Sequence, residues 1–290
     1  MQVNVSVIQS TPHFFQKSQT IQKVAKIVKT EAEKGSRLIL FPESYIPGYP
    51  RGFTFESAIG FRKQAGRELY LKYWEESLEV GDADFQQVES LAQAHQVYLI
   101  IGVTERQSTN GSLYCSMMYF SPQGYMGTHR KLKPTGIERL VWAEGKKEEL
   151  HCFDTPLGKI GGLICWENYM PQARWNLYEK GVEIYLAPTA DARSTWIASM
   201  QHIACESRSF VLASNQFFRR ADYPPEWAPY AQSEEDVICR GGSVIVSPLG
   251  EIMEGPLWDQ EGVLRATLDM PDIIRAKMDF DPVGHYRFDG

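Results

Sequence analysis

The chain has 290 residues, of which 43% are hydrophobic and 23% charged, a composition typical of a globular protein. Its formal net charge is -6 and its Lys and Arg residues are scattered, so the sequence indicates no nucleic-acid partner. No apolar run approaches the roughly 18 residues that a membrane span requires, and the N-terminus lacks the basic start of a signal peptide.

The five cysteines are odd in number, widely spaced and free of any CxxC pair. This usage indicates neither a disulfide framework nor a zinc site, and it favours a reducing, cytoplasmic location. The five are Cys115, Cys152, Cys165, Cys205 and Cys239.

Apolar periodicity predicts strands and helices in alternation. In the first half of the chain, the predicted elements are strand 2–9, helix 16–34, strand 37–42, helices 55–76 and 83–95, and strands 97–104, 113–120 and 125–129. In the second half they are strands 150–154 and 159–164, helix 171–180, strand 183–188, helix 193–208, and strands 210–217, 242–246, 251–254 and 263–269, followed by helix 271–278.

Three of the strand pairs are joined by a Ser/Thr-Pro-X-Gly turn, at residues 121–124, 155–158 and 247–250. Proline sets φ early in such a turn, and glycine accepts the positive φ that the turn can require. Local hairpins combined with strand–helix alternation predict a mixed α/β fold in which two sheets pack face to face with helices outside. Since no linker interrupts the pattern, we expect a single domain over residues 1–290.

Three chemically useful side chains each follow a strand-like run. Cys165 ends an apolar run and opens a helix-like stretch, as in a nucleophile elbow. Glu43 and Lys131 follow two other strands, and a thiol needs such partners: a carboxylate to take its proton and a cation to stabilise the negative charge that develops. The residues alone leave other interpretations open, namely a buried structural cysteine, a capping or surface glutamate, and a solvated lysine.

The segments around these residues resemble the three signature blocks of the carbon–nitrogen hydrolase (nitrilase) superfamily, in order and over nearly the whole chain. The blocks are Phe41-Pro42-Glu43, His129-Arg130-Lys131-Leu132-Lys133-Pro134-Thr135 and Cys165-Trp166-Glu167-Asn168-Tyr169-Met170-Pro171. The third is similar to the version found in the true nitrilase branch, whereas amidase branches tend to carry Cys-Tyr-Asp or Cys-Trp-Asp. Segments 48–52, 138–142, 187–191 and 281–286 also resemble nitrilases.

The resemblance implies a four-layer α-β-β-α sandwich that needs no metal or organic cofactor. It implies Cys165 as nucleophile, Glu43 as general base and Lys131 as stabiliser of the tetrahedral intermediate, with the backbone N–H of Trp166 near the developing anion. Glu138 matches a second glutamate beside this triad. Its alternative role is a carboxylate at a helix start, paired with Arg139.

The reaction implied is hydrolysis of an organic nitrile, arylalkyl or aliphatic, to the acid and ammonia through a thioimidate and an acyl-thioester. The first alternative is an amide-cleaving enzyme on the same fold, either an aliphatic amidase or an N-carbamoyl or ω-amide hydrolase. The second is a catalytically silent binding module. The form of the cysteine block argues against the first alternative, and the intact triad argues against the second.

Residues next to the blocks are candidates for the substrate pocket, although each aromatic one could equally be core packing. They are Tyr49, Trp142, Trp166, Thr189, Ala190 and Trp196. His129 and His285 are expected to be structural hydrogen-bond partners, since Glu43 already fills the role of base. The long polar segment 219–240 is a candidate lid or oligomer contact.

The resemblance also implies a homo-oligomer built on a dimer. Helix 171–180 and the C-terminal segment are the expected contacts, with Trp175, Leu177 and Tyr178 as the apolar area on the helix. Members of this branch usually carry a further tail where this chain reads Arg287-Phe288-Asp289-Gly290, and that tail helps dimers build spirals, so long filaments are not expected.

Overall fold

The computed structural model describes residues 1–233 and 235–288. In this part of the chain the α-helices are α1 (Lys17–Glu33), α2 (Gln64–Glu75), α3 (Ala83–His95), α4 (Pro171–Glu179), α5 (Ser194–Ser207) and α6 (Asp272–Lys277). Short 3₁₀ helices span Gly136–Leu140, Lys147–Glu149, Cys165–Tyr169, Arg220–Asp222 and Ala228–Tyr230.

The strands range in length from two residues in Ser57–Ala58 to ten in Val237–Val246. They are β1 (Gln2–Gln9), β2 (Leu38–Leu40), β3 (Ser57–Ala58), β4 (Phe61–Arg62), β5 (Leu78–Glu79), β6 (Tyr98–Arg106), β7 (Leu113–Ser121), β8 (Gly124–Arg130), β9 (Cys152–Thr155), β10 (Gly158–Gly162), β11 (Ile184–Thr189), β12 (Phe210–Asn215), β13 (Phe217–Arg219), β14 (Val237–Val246), β15 (Ile252–Trp258) and β16 (Gly262–Asp269).

Two large mixed sheets form the centre of the structure. The first has the order β16-β1-β2-β6-β7-β8, with β5 beside β6, and the second has the order β13-β14-β12-β11-β10-β9, with β15 beside β14. Strands β1, β2 and β6 run parallel, as do β10, β11 and β12, while hairpin strands pair antiparallel at the edges. The predicted mixed α/β class is therefore confirmed.

Apolar side chains on both faces of each sheet create three separate cores. Leu38 and Leu40 of the first sheet pack with Ile184 and Leu186 of the second, so one core lies between the sheets. Ile39 points the other way, into a core that α1 and α3 cover. A third core contains α4 and α5 side chains against the outer face of the second sheet. These layers form the four-layer α-β-β-α sandwich.

The three Pro-Gly turns behave as the sequence predicts, because Gly124, Gly158 and Gly250 have φ of 123°, 118° and 83°. The prediction of one helix over 55–76 is wrong in its first part. Phe55 and Glu56 have φ of 50° and 48°, which a right-handed helix excludes, and the hairpin β3–β4 follows before α2 begins.

The predicted strand 210–217 is two strands, β12 and β13, because the chain leaves the pairing with β11 after Asn215. Strand β14 begins at Val237, five residues before the predicted start at 242, because β13 pairs with its first half. Segment 219–240 thus contains two short 3₁₀ helices and the start of a strand.

The predicted contact surface on helix 171–180 is wrong for two of its three residues. Leu177 and Tyr178 are buried in the core between α4 and the second sheet, so they cannot supply contact area to another chain, whereas Trp175 is half-buried. The expectation drawn from the segment 287–290 falls partly on residues 289–290, outside the described part of the chain. Within the described residues, no helix is long and apolar enough to cross a membrane.

Gly102 lets two elements of the first sheet approach closely. It lies in β6, and a Cβ atom there would stand 2.1 Å from the carbonyl oxygen of Pro42 and 2.6 Å from Cα of Glu43. The backbone that carries Glu43 can therefore cross β6 only where the side chain is absent.

We expect Gly102→Ala to lower the free energy of unfolding by about 1–3 kcal/mol, because the Pro42–Ser44 backbone must move away. Thermal and denaturant unfolding measure the change. Gly111→Ala is the matched control, since nothing lies within 4 Å of the position that its methyl group would take. Equal stability of the two variants would contradict the close-approach argument.

Candidate active site

Cys165 projects from a tight turn after β10. Its φ is 51°, and it opens the 3₁₀ helix Cys165–Tyr169. Asn168 Nδ2 donates to the carbonyl oxygens of Cys165 at 2.8 Å and Leu163 at 3.0 Å, which holds the turn closed. The strained left-handed backbone at a strand end is the geometry of a nucleophile elbow.

Glu43 lies three residues after β2 and is fully buried. Lys131 Nζ donates to its Oε1 atom at 2.7 Å, and Gln216 Nε2 donates to its backbone oxygen at 2.7 Å. Its other carboxyl atom, Oε2, has no hydrogen-bond partner within the described residues. A buried carboxylate oxygen without a protein partner is a group that a water molecule or a substrate can engage.

Lys131 directly follows β8, and its ammonium lies between two carboxylates. Besides Glu43 it donates to Glu138 Oε2 at 2.8 Å. The same Oε2 atom accepts from the backbone N–H of Thr135 at 2.6 Å, and Tyr49 Oη donates to Oε1 at 2.7 Å. Glu138 thus caps its 3₁₀ helix and also contacts Lys131.

Arg139, the alternative partner considered for Glu138, donates instead from Nε to the carbonyl oxygen of Pro134 at 3.1 Å. The sequence left open whether Glu138 pairs with Arg139 or lies beside the three strand-end residues. In the structure it pairs with Lys131.

Burial and charge set the protonation of these groups. Burial raises the pKa of the Cys165 thiol, and the nearby Glu43 carboxylate raises it further, while Lys131 opposes the shift. Burial also raises the pKa of Glu43; Lys131 lowers it and Glu138 raises it, and the net direction is upward. Burial alone would lower the pKa of Lys131, but Glu43 and Cys165 raise it well above the ordinary lysine value.

These shifts leave a protonated thiol, a cationic lysine and a carboxyl group whose affinity for a proton exceeds that of an exposed glutamate. The Cys165 thiol is one of the neighbours that lower the pKa of Glu43, and the Glu43 carboxylate in turn raises the pKa of the thiol. Such a carboxylate can accept a proton from the thiol as the sulfur attacks an electrophilic carbon.

Cys165 opens into a cavity of about 460 Å³. Its walls combine aromatic, charged and small side chains: Tyr49, Arg51, Thr135, Glu138, Cys165, Trp166, Ala190, Asp191, Ala192, Arg193, Glu235, Val237, Ile238 and Arg240. The sequence did not decide the role of segment 219–240. In the structure its residues Glu235, Val237, Ile238 and Arg240 form part of the cavity wall.

Trp166 stands at this cavity with 41% of its surface exposed. Its Nε1 donates to Asp191 Oδ2 at 2.9 Å, and the guanidinium of Arg193 lies 4.8 Å from its ring centre. Arg193 also pairs with Asp191, so one carboxylate fixes both groups.

A second cavity, of about 320 Å³, adjoins the first and shares four wall residues with it: Tyr49, Arg51, Thr135 and Glu138. Trp142 lines this second cavity and not the first, with its ring centre 5.6 Å from that of Tyr49.

Apart from Trp142 at the second cavity, the predicted pocket residues divide into three groups. Tyr49, Trp166 and Ala190 line the cavity at Cys165. Thr189 is buried beneath it, and its Oγ1 donates to Cys165 Sγ at 3.2 Å. The prediction for Trp196 is wrong, because its side chain is 1% exposed and packs in the core of the second sheet.

The helical periodicity of α5 explains the position of Trp196. Met200, Ile203 and Ala204 continue the same buried face, which packs on the second sheet. The side chain therefore follows the core-facing stripe of its helix and does not reach the cavity.

Sequence reasoning missed several residues of the site. Cys115 Sγ lies 3.5 Å from Glu43 Oε1, and the backbone N–H of Lys131 donates to the Cys115 carbonyl oxygen at 2.8 Å. The position of Cys115 could have been predicted from the β7–β8 hairpin, because antiparallel register places Cys115 beside the end of β8. Arg51 NH1 donates to the Ile238 carbonyl oxygen at 3.1 Å, a long-range contact for which no local signal exists.

His129 was expected to be a structural hydrogen-bond partner. Its Nε2 lies 3.0 Å from Glu167 Oε2, and both side chains are fully buried. In residues 1–233 and 235–288, no cluster of three or more His, Cys, Asp and Glu side chains is arranged to hold a metal ion.

Comparison with known proteins identifies the family. Residues 4–278 match the family described as carbon-nitrogen hydrolase. The chain belongs to the carbon–nitrogen hydrolase family. It is 44% identical to the bifunctional nitrilase/nitrile hydratase NIT4B of Nicotiana tabacum, over 98% of this chain and 83% of that protein. It is 43% identical to nitrilase 1 of Arabidopsis thaliana, over 98% of this chain and 84% of that protein.

Solved structures of carbon–nitrogen hydrolases share the fold at lower identity. Saccharomyces cerevisiae Nit3, a member of branch 10 of the nitrilase superfamily, superposes with a TM-score of 0.77 at 20% identity, covering 99% of this chain and 97% of that one. An amidase from Nesterenkonia sp. has a TM-score of 0.71 at 16% identity, covering 96% of this chain and 95% of that one. The predicted superfamily and its sandwich fold are confirmed.

Because the charge of Glu138 raises the pKa of Glu43, we expect Glu138→Gln to lower that pKa. A carboxyl titration by ¹³C NMR or infrared spectroscopy, with Glu43 assigned through Glu43→Gln, measures the shift. Glu144→Gln is the control, because Glu144 pairs with Lys133 at the surface. An unchanged or increased Glu43 pKa in Glu138→Gln would show that the two carboxylates do not interact as described.

Proposed function

We propose that this carbon–nitrogen hydrolase is a nitrilase, which converts an organic nitrile to the carboxylic acid and ammonia through a covalent bond to Cys165. The observation that carries the proposal is the buried cluster of Glu43, Lys131 and Cys165 at a solvent-connected cavity. The nitrilase names of relatives at 43–44% identity support the choice of substrate class.

The first half of the reaction forms a thioimidate. Cys165 Sγ bonds to the nitrile carbon, and its proton passes by way of Glu43 to the nitrile nitrogen. Lys131 stabilises the negative charge that develops on nitrogen, together with the backbone N–H of Trp166 at the elbow. A fixed cation in a site shielded from water needs no reorganisation at the moment of attack.

The second half consumes two water molecules, each activated by Glu43 as general base. Addition of the first gives a tetrahedral adduct; proton transfer to nitrogen and cleavage of the C–N bond release ammonia and leave an acyl-thioester. Addition of the second water and cleavage of the C–S bond release the acid and restore the thiol. Cleavage of C–S instead of C–N in the first adduct would release the amide.

The cavity favours an arylalkyl or aliphatic group on the nitrile. Tyr49 and Trp166 offer aromatic surface beside Cys165, and Val237 and Ile238 add aliphatic surface on the segment that closes the wall. Glu138 keeps the Lys131 ammonium in place through its hydrogen bond and its charge.

For the protein as a whole we propose one hydrolase domain over residues 1–290, acting in the cytoplasm as a homo-oligomer built on a dimer. The five cysteines are free thiols, as a reducing compartment permits. The half-buried Trp175 on α4 remains the apolar group that the dimer contact can use.

The deciding experiment compares matched nitriles and primary amides, one aliphatic pair and one arylalkyl pair, by ammonia release. We expect higher kcat/KM for the nitriles, and no release from Cys165→Ala, because removal of the nucleophile typically costs many orders of magnitude in rate. Mass spectrometry of the wild type should detect an adduct on Cys165. Higher kcat/KM for both amides would establish an amidase, and turnover by purified Cys165→Ala would reject the covalent mechanism.

We expect Lys131→Gln to reduce kcat by about 100-fold or more, since a positioned charge in a dry site is strongly stabilising. Lys133→Gln should change kcat little, because Lys133 is exposed and pairs with Glu144 at the surface. Steady-state kinetics on one nitrile compare the two. Similar losses would point to a general charge effect and against a specific role for Lys131.

A further inference from the structure

The carboxylate of Glu167 connects the two chain segments that carry Lys131 and Cys165. Its Oε1 accepts from the backbone N–H of Leu132 at 2.6 Å, one residue after Lys131. Its Oε2 accepts from the backbone N–H of Ile164 at 2.7 Å, one residue before Cys165. The first segment continues β8 of the first sheet and the second continues β10 of the other, so this side chain is a tie between the sheets.

The tie is buried and fully partnered. Glu167 is 1% exposed, and His129 Nε2 lies 3.0 Å from Oε2 as a third contact. Nε2 of His129 is thus within hydrogen-bond distance of the same oxygen that accepts from Ile164. Three hydrogen bonds to one buried carboxylate restrict its position far more than a solvated glutamate would be restricted.

The geometry requires a carboxylate, and its amide analogue would not replace it. An amide side chain has one accepting oxygen, and its NH₂ group would face a backbone N–H as donor against donor. Glu167→Gln is nearly isosteric but can keep only one of the two backbone ties. The segment that loses its tie then gains freedom at the residue next to Lys131 or next to Cys165.

We propose that Glu167 is a positioning residue that fixes the Lys131 ammonium relative to the Cys165 thiol across the two sheets. The inference rests on the proposed function, since it assigns Glu167 a role in the reaction of those two groups. Glu167 does not line the cavity at Cys165, and it acts through the backbone of Leu132 and Ile164 and through the side chain of His129.

The test compares Glu167→Gln with Glu31→Gln in the full chain. Glu31 is a matched control because it is 2% exposed and accepts from Arg265 and Ser6, on α1 and away from the site. A displacement near 1 Å can cost on the order of 100-fold in rate, so we expect Glu167→Gln to lower kcat by about that factor with KM nearly unchanged. Glu31→Gln should lose stability but keep its kcat.

The pH profile separates positioning from simple loss of folded protein. Glu43 faces Lys131, Glu138, Cys165 and Cys115, and of these Lys131 is the main group that lowers its pKa, with a smaller contribution from Cys165. If the ammonium moves away, the pKa of Glu43 rises, and the acid limb of kcat/KM moves to higher pH in Glu167→Gln. Partial unfolding would scale the rate at every pH and leave the limb where it is, as in Glu31→Gln.

A second variant covers the case in which Glu167→Gln does not fold. Glu167→Asp keeps both accepting oxygens but is one methylene shorter, so it cannot hold both backbone N–H groups at their present distances. We expect an intermediate loss of kcat and a smaller shift of the acid limb. Wild-type kcat and an unmoved limb in either folded variant would overturn the inference.

Alkylation of Cys165 gives a readout independent of nitrile turnover. Since Lys131 lowers the pKa of the Cys165 thiol, its displacement should slow the reaction with iodoacetamide several-fold in Glu167→Gln and leave the rate unchanged in Glu31→Gln. Equal alkylation rates would count against the positioning role. A wild-type protein that hydrolyses no nitrile while alkylation still slows would refute the proposed function and retain the inference about Glu167.

Discussion

The ammonium of Lys131, buried between the carboxylates of Glu43 and Glu138, is the interaction on which the arrangement of the site depends. Transfer of an ion from water to a protein interior costs several kcal/mol even after relaxation, and only close, well-oriented partners offset that cost. The three residues belong to two segments of the chain, since Glu43 lies 88 residues before Lys131 and Glu138 lies 7 residues after it. The fold must therefore hold those segments in register before the charges can be accommodated, and the charges in turn penalise any arrangement that separates them.

The surrounding backbone is shaped to meet this requirement. Gly102 and Gly162 leave room where neighbouring backbones approach: a Cβ on Gly162 would stand 2.0 Å from the Leu186 carbonyl oxygen. Gln216 binds the backbone of Glu43 from β12's end, and Glu167 binds the segments of Lys131 and Cys165. Small residues and buried polar side chains thus perform complementary tasks, the first permitting close approach and the second fixing it.

The cavity is organised differently from the buried cluster. The cluster lies at strand ends, whereas much of the cavity wall comes from loops such as residues 190–193, between β11 and α5. Asp191 stabilises one part of that wall by holding both Trp166 and Arg193. Loop walls on a rigid scaffold allow substrate preference to change while the reacting groups stay in place.

The sequence by itself determined the mixed α/β class, the Pro-Gly turns, most element positions and the identity of the three strand-end residues, because periodicity, turn chemistry and signature blocks are local patterns. It could not settle which partner Glu138 takes, that Trp196 belongs to the core, or that Cys115 and Arg51 reach the site. Those outcomes depend on which side chains meet across sheets and loops. Contacts between residues far apart in the chain are set by packing and by the burial of charge, and only the tertiary structure decides them.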